Sequence, residues 1–142
     1  MIYLLDSNTC IDYLRAPLSG IAQKLATVDA QDVALNSVTV AELFRGAYRS
    51  VQVAHNLIHV KASVSRFRCL PLDLPAAEIA GRIDADLLAR GLRIGPYDTL
   101  IAAIALAYDL TLVTHNTHEF GRVAGLRLED WAEIPPSSDP SR

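Results

Sequence analysis

The sequence predicts an α/β fold in which a mainly parallel sheet carries helices on both faces. Three observations point there. Apolar runs of strand length recur along the chain, stretches with apolar residues at helical spacing separate them, and polar turn residues mark the junctions. Parallel neighbours need a crossover, and right-handed crossovers through a helix are the usual one, so this alternation implies a layered α/β domain.

Ile2-Tyr3-Leu4-Leu5 reads as a buried strand, and Asp6-Ser7-Asn8 behind it as a helix-starting turn. Pro17 opens a second helical segment in which Ile21, Leu25 and Val28 share a face. Val33-Ala34-Leu35-Asn36-Ser37 reads as the next strand. Ser37 and Thr39 are two possible caps for a helix carrying Val40, Leu43, Phe44 and Ala47, and 51–67 reads as a further helix. Cys69-Leu70-Pro71-Leu72 is a strand at a sheet edge or a strand end, because Pro71 cannot donate to a ladder. After Pro75, Ile79, Ile83 and Leu87 fall four apart, and Gly91 stands where a helix-ending glycine belongs. Pro96 takes the first position of another helix, with Asp98 in its first turn and Leu100, Ile101, Ile104 and Tyr108 at core spacing. Thr111-Leu112-Val113-Thr114 is a strand, His115-Asn116-Thr117 turns into a short helix, and Leu126-Arg127-Leu128-Glu129 alternates as a last strand. These elements make one domain over 1–134, with 135–142 as a flexible tail.

Hydrophobic residues make up 51% of the 142, enough for a core without staples, while Cys10 and Cys69 lie too far apart for a CxxC zinc or redox motif. Both thiols are expected to be buried in a reducing compartment. Met1 to Leu5 meets Asp6 at once, so no export segment is read, and the longest apolar stretch, 100–113, is broken by Asp109 and too short to span a membrane. A cytoplasmic protein without a membrane span follows as the expectation. With net charge −3, the chain is not expected to hold nucleic acid by blanketing phosphates with basic residues, so any such contact must be local. Arg45, Arg49, Arg66, Arg68, Arg90 and Arg93 are the arginines considered for it, although scattered arginines commonly only solvate helix faces.

In a parallel sheet the C-terminal strand ends and the following helix starts share one rim, where ligands bind. Asp6, Glu42, Asp98 and Asn116 all map to that rim from segments far apart in sequence. Crowded carboxylates repel, and a divalent cation removes the conflict. An oxygen-only donor set selects Mg²⁺, or Mn²⁺ in its place, over zinc. Such a site suits phosphodiester hydrolysis, with Glu42 orienting or deprotonating a water. Each residue also has a plainer reading: Asp6 as a helix cap, Thr39 to Glu42 and Asn116 to Glu119 as capping boxes, Asp98 as dipole compensation. The joint placement, not any one residue, carries the functional reading. His115 and His118 fit solvent-facing loop positions better than ligands, and Trp131 and Tyr97 fit packing better than base stacking.

Asp6-Ser7-Asn8, Thr39-Val40-Ala41-Glu42-Leu43 with Gly46, 94–103 including Gly95-Pro96-Tyr97-Asp98, and 112–120 including Thr114-His115-Asn116 resemble PIN-domain proteins. The likeness is nearest to the VapC-type toxins of toxin–antitoxin pairs and runs from Ile2 to Trp131. It implies a three-layer α/β/α PIN-like fold and Mg²⁺-dependent endoribonuclease activity on translation-related RNA such as tRNA or rRNA. It further implies inhibition by a VapB-like antitoxin, and a homodimer that assembles into a heterotetramer or larger complex with it. Carried onto this chain, Asp6 and Asp98 are the principal metal ligands, Glu42 the third acid, and Thr114 and Asn116 the post-strand pair, with Asn8, Glu119 and Arg45 in support. The family often has an acid where Asn116 stands; an amide adds no charge, which favours one metal over two unless Glu119 compensates.

Two other readings compete. A PIN-like regulatory module would bind a metal or a basic partner segment without chemistry, and would leave RNA intact. A receiver-like or phosphatase-like domain needs an aspartyl nucleophile and a placed lysine, and Lys24 and Lys61, the only lysines, lie at no predicted strand end.

Overall fold

The computed structural model describes residues 1–15 and 19–132, and the predicted helix start at Pro17 and the tail 135–142 lie outside them. The elements run β1 (Tyr3–Leu5), α1 (Ser7–Arg15), α2 (Gly20–Thr27), a 3-10 turn (Ala30–Asp32), β2 (Val33–Asn36), α3 (Ser37–Tyr48) and α4 (Val53–Val64). They continue with β3 (Arg68–Leu70), α5 (Leu74–Ala89), α6 (Pro96–Ala107), β4 (Thr111–Val113), α7 (Thr117–Phe120) and β5 (Leu128–Glu129). The five strands form one sheet in the order β3-β2-β1-β4-β5. Every pairing is parallel, so all strand C-termini and the helix starts behind them meet at one rim, as the alternation predicts.

Alternation along the strands feeds two cores. Leu4, Ala34, Leu70 and Leu112 point to the side covered by α5 and α6, whereas Leu5, Val33, Leu35 and Val113 point to the side covered by α1 to α4. Helix α6 is packed nearly all round: Ile101, Ala102, Ala103, Ile104 and Ala105 are fully buried. The small alanines let it lie close to both the sheet and α5.

Local chemistry sets the boundaries. Ser19 caps α2, Asn36 caps α3 and Asp73 caps α5, each accepting a backbone N–H three residues on. Helix α5 ends at Gly91, whose φ of +67° allows the N–H of Leu92 to reach the carbonyl of Leu87 at 2.8 Å. The end of α6 repeats this closure with Asp109 at φ +55°, a conformation uncommon outside glycine, and Arg127 holds both its carboxylate and its carbonyl.

Several expectations are corrected. The cap of α3 is Asn36, one residue before the first of the two proposed, because its side chain already reaches the N–H of Thr39 at 2.8 Å. The helix expected over 51–67 spans Val53–Val64, and the last strand is confined to Leu128–Glu129. The strand at Cys69 begins one residue earlier and stops before Pro71; it is the sheet edge, which explains why a proline can follow it. Cys69 is exposed there rather than buried, since its side chain alternates away from the core that takes Leu70.

Candidate functional site

Asp6 follows β1 directly and is almost completely buried. Its Oδ1 accepts the backbone N–H of Thr9 at 2.8 Å, so the helix-cap reading is correct as far as it goes. The other oxygen, Oδ2, accepts the hydroxyl of Thr114 at 2.6 Å, across to the end of β4. The hydroxyl of Thr114 in turn accepts the backbone N–H of Asn116 at 2.9 Å. Burial pushes the Asp6 carboxyl up, and these donors from Thr114 and Thr9 oppose the push.

Glu42 lies in the second turn of α3, partly exposed, and its Oε1 accepts the hydroxyl of Ser7 at 2.6 Å. It therefore does not close a capping box on its own helix end. Asp98 occupies the first turn of α6, behind Gly95 and Pro96, half-buried. Its carboxyl is pushed up to about 6, first by burial and then by the negative charges of Asp6, Glu119 and Glu42. Asp98 thus feels the negative charge of three other acids, each carried by a separate segment of the chain.

Glu119 is thus the fourth acid. Asn116 spends its side-chain amide on it, donating from Nδ2 to Oε2 at 3.1 Å, and makes no side-chain cap for α7. The Asn116–Glu119 capping box is therefore replaced by a side-chain pair that holds one oxygen of a carboxylate whose charge is felt at Asp98. Among the supporting candidates, Thr114 is central, while Asn8 is exposed on the outer side of α1. Arg45 is exposed as well, beside Glu42 and Tyr97 around a shallow hollow at the rim.

The outlying aromatics and histidines separate clearly. Trp131 is buried, stacks edge-on against Tyr3 at 5.0 Å and donates to Glu129, so it packs into the core on the α1 to α4 side of the sheet. His115 is exposed and paired with Asp130 at 2.8 Å, and His118 lies beside Arg122. The polar groups that sequence reading passed over as site residues are Ser7, Thr39 and Asn36, which support Glu42 from below. Asn36, a polar residue ending an apolar strand, was the one available signal.

Among the described residues no three His, Cys, Asp or Glu side chains form a ready-made metal cage. The donor set still fits a hard cation, because Mg²⁺ keeps several waters and takes only one or two carboxylates directly. Asp98, half-buried and facing three further carboxylates, is the group a cation would relieve most.

A sequence profile of the PIN domain matches residues 3–126. The chain is 36% identical over 129 residues to the tRNA(fMet)-specific endonuclease VapC of Salmonella typhimurium, covering 91% of this chain and 97% of that protein. It is 32% identical over 132 residues to ribonuclease VapC2 of Rickettsia felis, covering 92% and 98%. Among solved structures, it matches a chain of DNA-bound VapBC from Salmonella typhimurium with a TM-score of 0.88 and 36% identity, covering 92% of this chain and 98% of that one. A chain of VapBC-1 from nontypeable Haemophilus influenzae matches with a TM-score of 0.85 and 28% identity, covering 94% and 100%.

Proposed function

This chain belongs to the PIN-domain family, and from that premise we propose that it is a metal-dependent endoribonuclease, the toxin of a toxin–antitoxin pair. The observation that carries the reading is the half-buried Asp98 facing the charges of Asp6, Glu42 and Glu119. Holding acids this way destabilises the protein unless a cation or a cationic partner uses them.

In this reading Asp98 and Asp6 hold Mg²⁺, or Mn²⁺ in its place, with Glu42 and Glu119 beside them. The bound cation supplies Lewis-acid polarisation of a phosphate and eases deprotonation of water. Asp6 is held rigid by Thr9 and Thr114, so its carboxylate cannot follow a moving ligand. Glu42 has one oxygen tied to Ser7 and the other free to take a proton from an attacking water. Asn116 acts through Glu119, which supplies the charge the amide lacks. Tyr97 and Arg45, exposed next to Glu42, offer a stacking face and a phosphate contact for RNA near the acids.

The named relatives are a tRNA(fMet)-specific endonuclease and ribonucleases, and the matched structures are toxin–antitoxin complexes, which supports RNA as substrate and a VapB-like antitoxin as partner. We take tRNA or rRNA as the substrate class, a homodimer as the working unit, and the cytoplasm as its place. The antitoxin inhibits by laying a basic residue against the acids. A hollow beside Glu42, lined by Ile11, Leu14, Leu43 and Val60 together with the polar Arg15, Asn56 and His59, gives such a segment a place to rest.

The test is to incubate the antitoxin-free protein with RNA and Mg²⁺ and to sequence the new ends, with Asp98→Asn as control. Cleavage that needs Mg²⁺ and disappears in Asp98→Asn is the expected result. Mn²⁺ binding with RNA left intact would overturn the enzyme in favour of a PIN-like regulatory module, the reading suggested by Asn116, an amide where the family often has an acid.

A further inference from the structure

Glu42 stands at the end of a string of hydrogen bonds whose direction is set at both ends. We infer that Ser7 and Thr39, anchored by Asn36, are positioning residues that fix Glu42 so that only Oε2 faces the site. The inference rests on the reading of the acid rim as a cation site, and it extends that reading to Thr39 and Asn36, which it leaves unused.

The string begins at Asn36, fully buried at the end of β2. Its Oδ1 accepts the backbone N–H of Thr39 at 2.8 Å, a group that can only donate. Its Nδ2 therefore faces the hydroxyl of Thr39 at 3.0 Å and the carbonyl of Leu5 at 3.5 Å, and that carbonyl can only accept. At the far end, the ionised carboxylate of Glu42 can only accept, and Ser7 lies 2.6 Å from its Oε1. A serine hydroxyl carries one proton, which this short contact uses. The 3.1 Å contact between the two hydroxyls must then be donated by Thr39 to Ser7. Each hydroxyl thus donates once and accepts once, and the string cannot reverse without losing the cap of α3.

Two consequences follow for the site. Glu42 is only partly buried, and without Ser7 its long side chain would sample several rotamers. Ser7 is also the residue next to Asp6, so the string registers the acid on α3 against the acid behind β1. All three supporting residues are buried, which keeps water from substituting for them.

The experiment measures Mn²⁺ affinity of the purified full chain by electron paramagnetic resonance, for wild type, Ser7→Ala, Ser7→Thr, Thr39→Val and Asp98→Asn, with circular dichroism confirming the fold. Loss of an outer-shell partner weakens metal binding by about 10-fold or more. The expected result is that Ser7→Ala shows this loss, that Ser7→Thr, which keeps the hydroxyl, binds within about 3-fold of wild type, and that Asp98→Asn loses binding. Wild-type affinity in Ser7→Ala, with binding lost in Asp98→Asn, would refute the positioning role and leave the cation site standing. No Mn²⁺ binding by wild type, or unchanged binding by Asp98→Asn, would instead refute the underlying reading. If Ser7→Ala does not fold, Thr39→Val decides, with weakened binding expected and unchanged binding refuting the inference.

Discussion

Replacing Asp98 by asparagine should make the metal-free protein more stable while removing its activity. The carboxyl of Asp98 is pushed up to about 6 by burial and by three neighbouring acids. Against an unfolded value of 3.8, that corresponds to about 3 kcal/mol of destabilisation at neutral pH if taken at face value. The side chain is half-exposed, and solvent screening reduces the figure to about 1–2 kcal/mol. Losing a negative charge from the first turn of α6 takes back roughly 0.5 kcal/mol. The net gain is about 1 kcal/mol, a rise in Tm of about 3–4 °C for a domain this size. The sign with pH is distinctive. An acid whose folded value is raised costs nothing below its unfolded value and its full penalty above its folded one, so the gain should be present at pH 7.5, shrink through pH 6 and vanish by pH 4. Saturating Mg²⁺ should reverse the order of the two proteins, since binding at 100 times Kd stabilises wild type alone by about 2.7 kcal/mol. Thermal melts in chelator and in Mg²⁺ at three pH values are the assay. An Asp98→Asn variant that melts no higher than wild type at pH 7.5 without divalent ions, or that keeps the same advantage at pH 4, would refute the electrostatic reasoning.

Three further outcomes are expected. Thr114→Val removes the donor that opposes the upward push on Asp6, so it should cost about 2 kcal/mol at pH 7 and less toward pH 4, read by urea denaturation at both. Gly91→Ala places a side chain at φ +67° with open space around it; the backbone alone should cost about 1 kcal/mol, with Mn²⁺ affinity unchanged. Ala103→Leu overfills the contact between α6 and its neighbours and should cost about 1–3 kcal/mol, with weaker Mn²⁺ binding because the carboxylate of Asp98 rides on that helix.

Much of the fold was legible because periodicity and punctuation agreed. Pro96 and Gly91 each mark a helix boundary through backbone geometry that no tertiary contact needs to supply. Asp6 could be mapped to the rim because it directly follows a parallel strand, and Glu42 because its helix starts at the end of another, whereas Asp98 sits on a helix that follows a helix and no strand end locates it. The cap at Asn36 was missed because a strand-ending asparagine reads as part of an apolar run, whereas its role depends on Leu5 and Thr39 meeting it in space. The fates of Glu42 and Glu119 were hidden for the same reason. A local Thr-x-x-Glu or Asn-x-x-Glu pattern favours capping until a partner from elsewhere, Ser7 in one case, competes for the carboxylate. Cys69 was misjudged because a thiol's preference for burial yields to the side on which its strand turns it out.

The alanines of α6 tie evolvability to precision. A helix so nearly enclosed has little room to drift, so the carboxylate in its first turn inherits the fixed position of a packed interior. Variation in which RNA is chosen should therefore accumulate on the other supports of the rim, such as α1 and α3 with their exposed flanks. The Asp98 mount should change only when several interior residues change together.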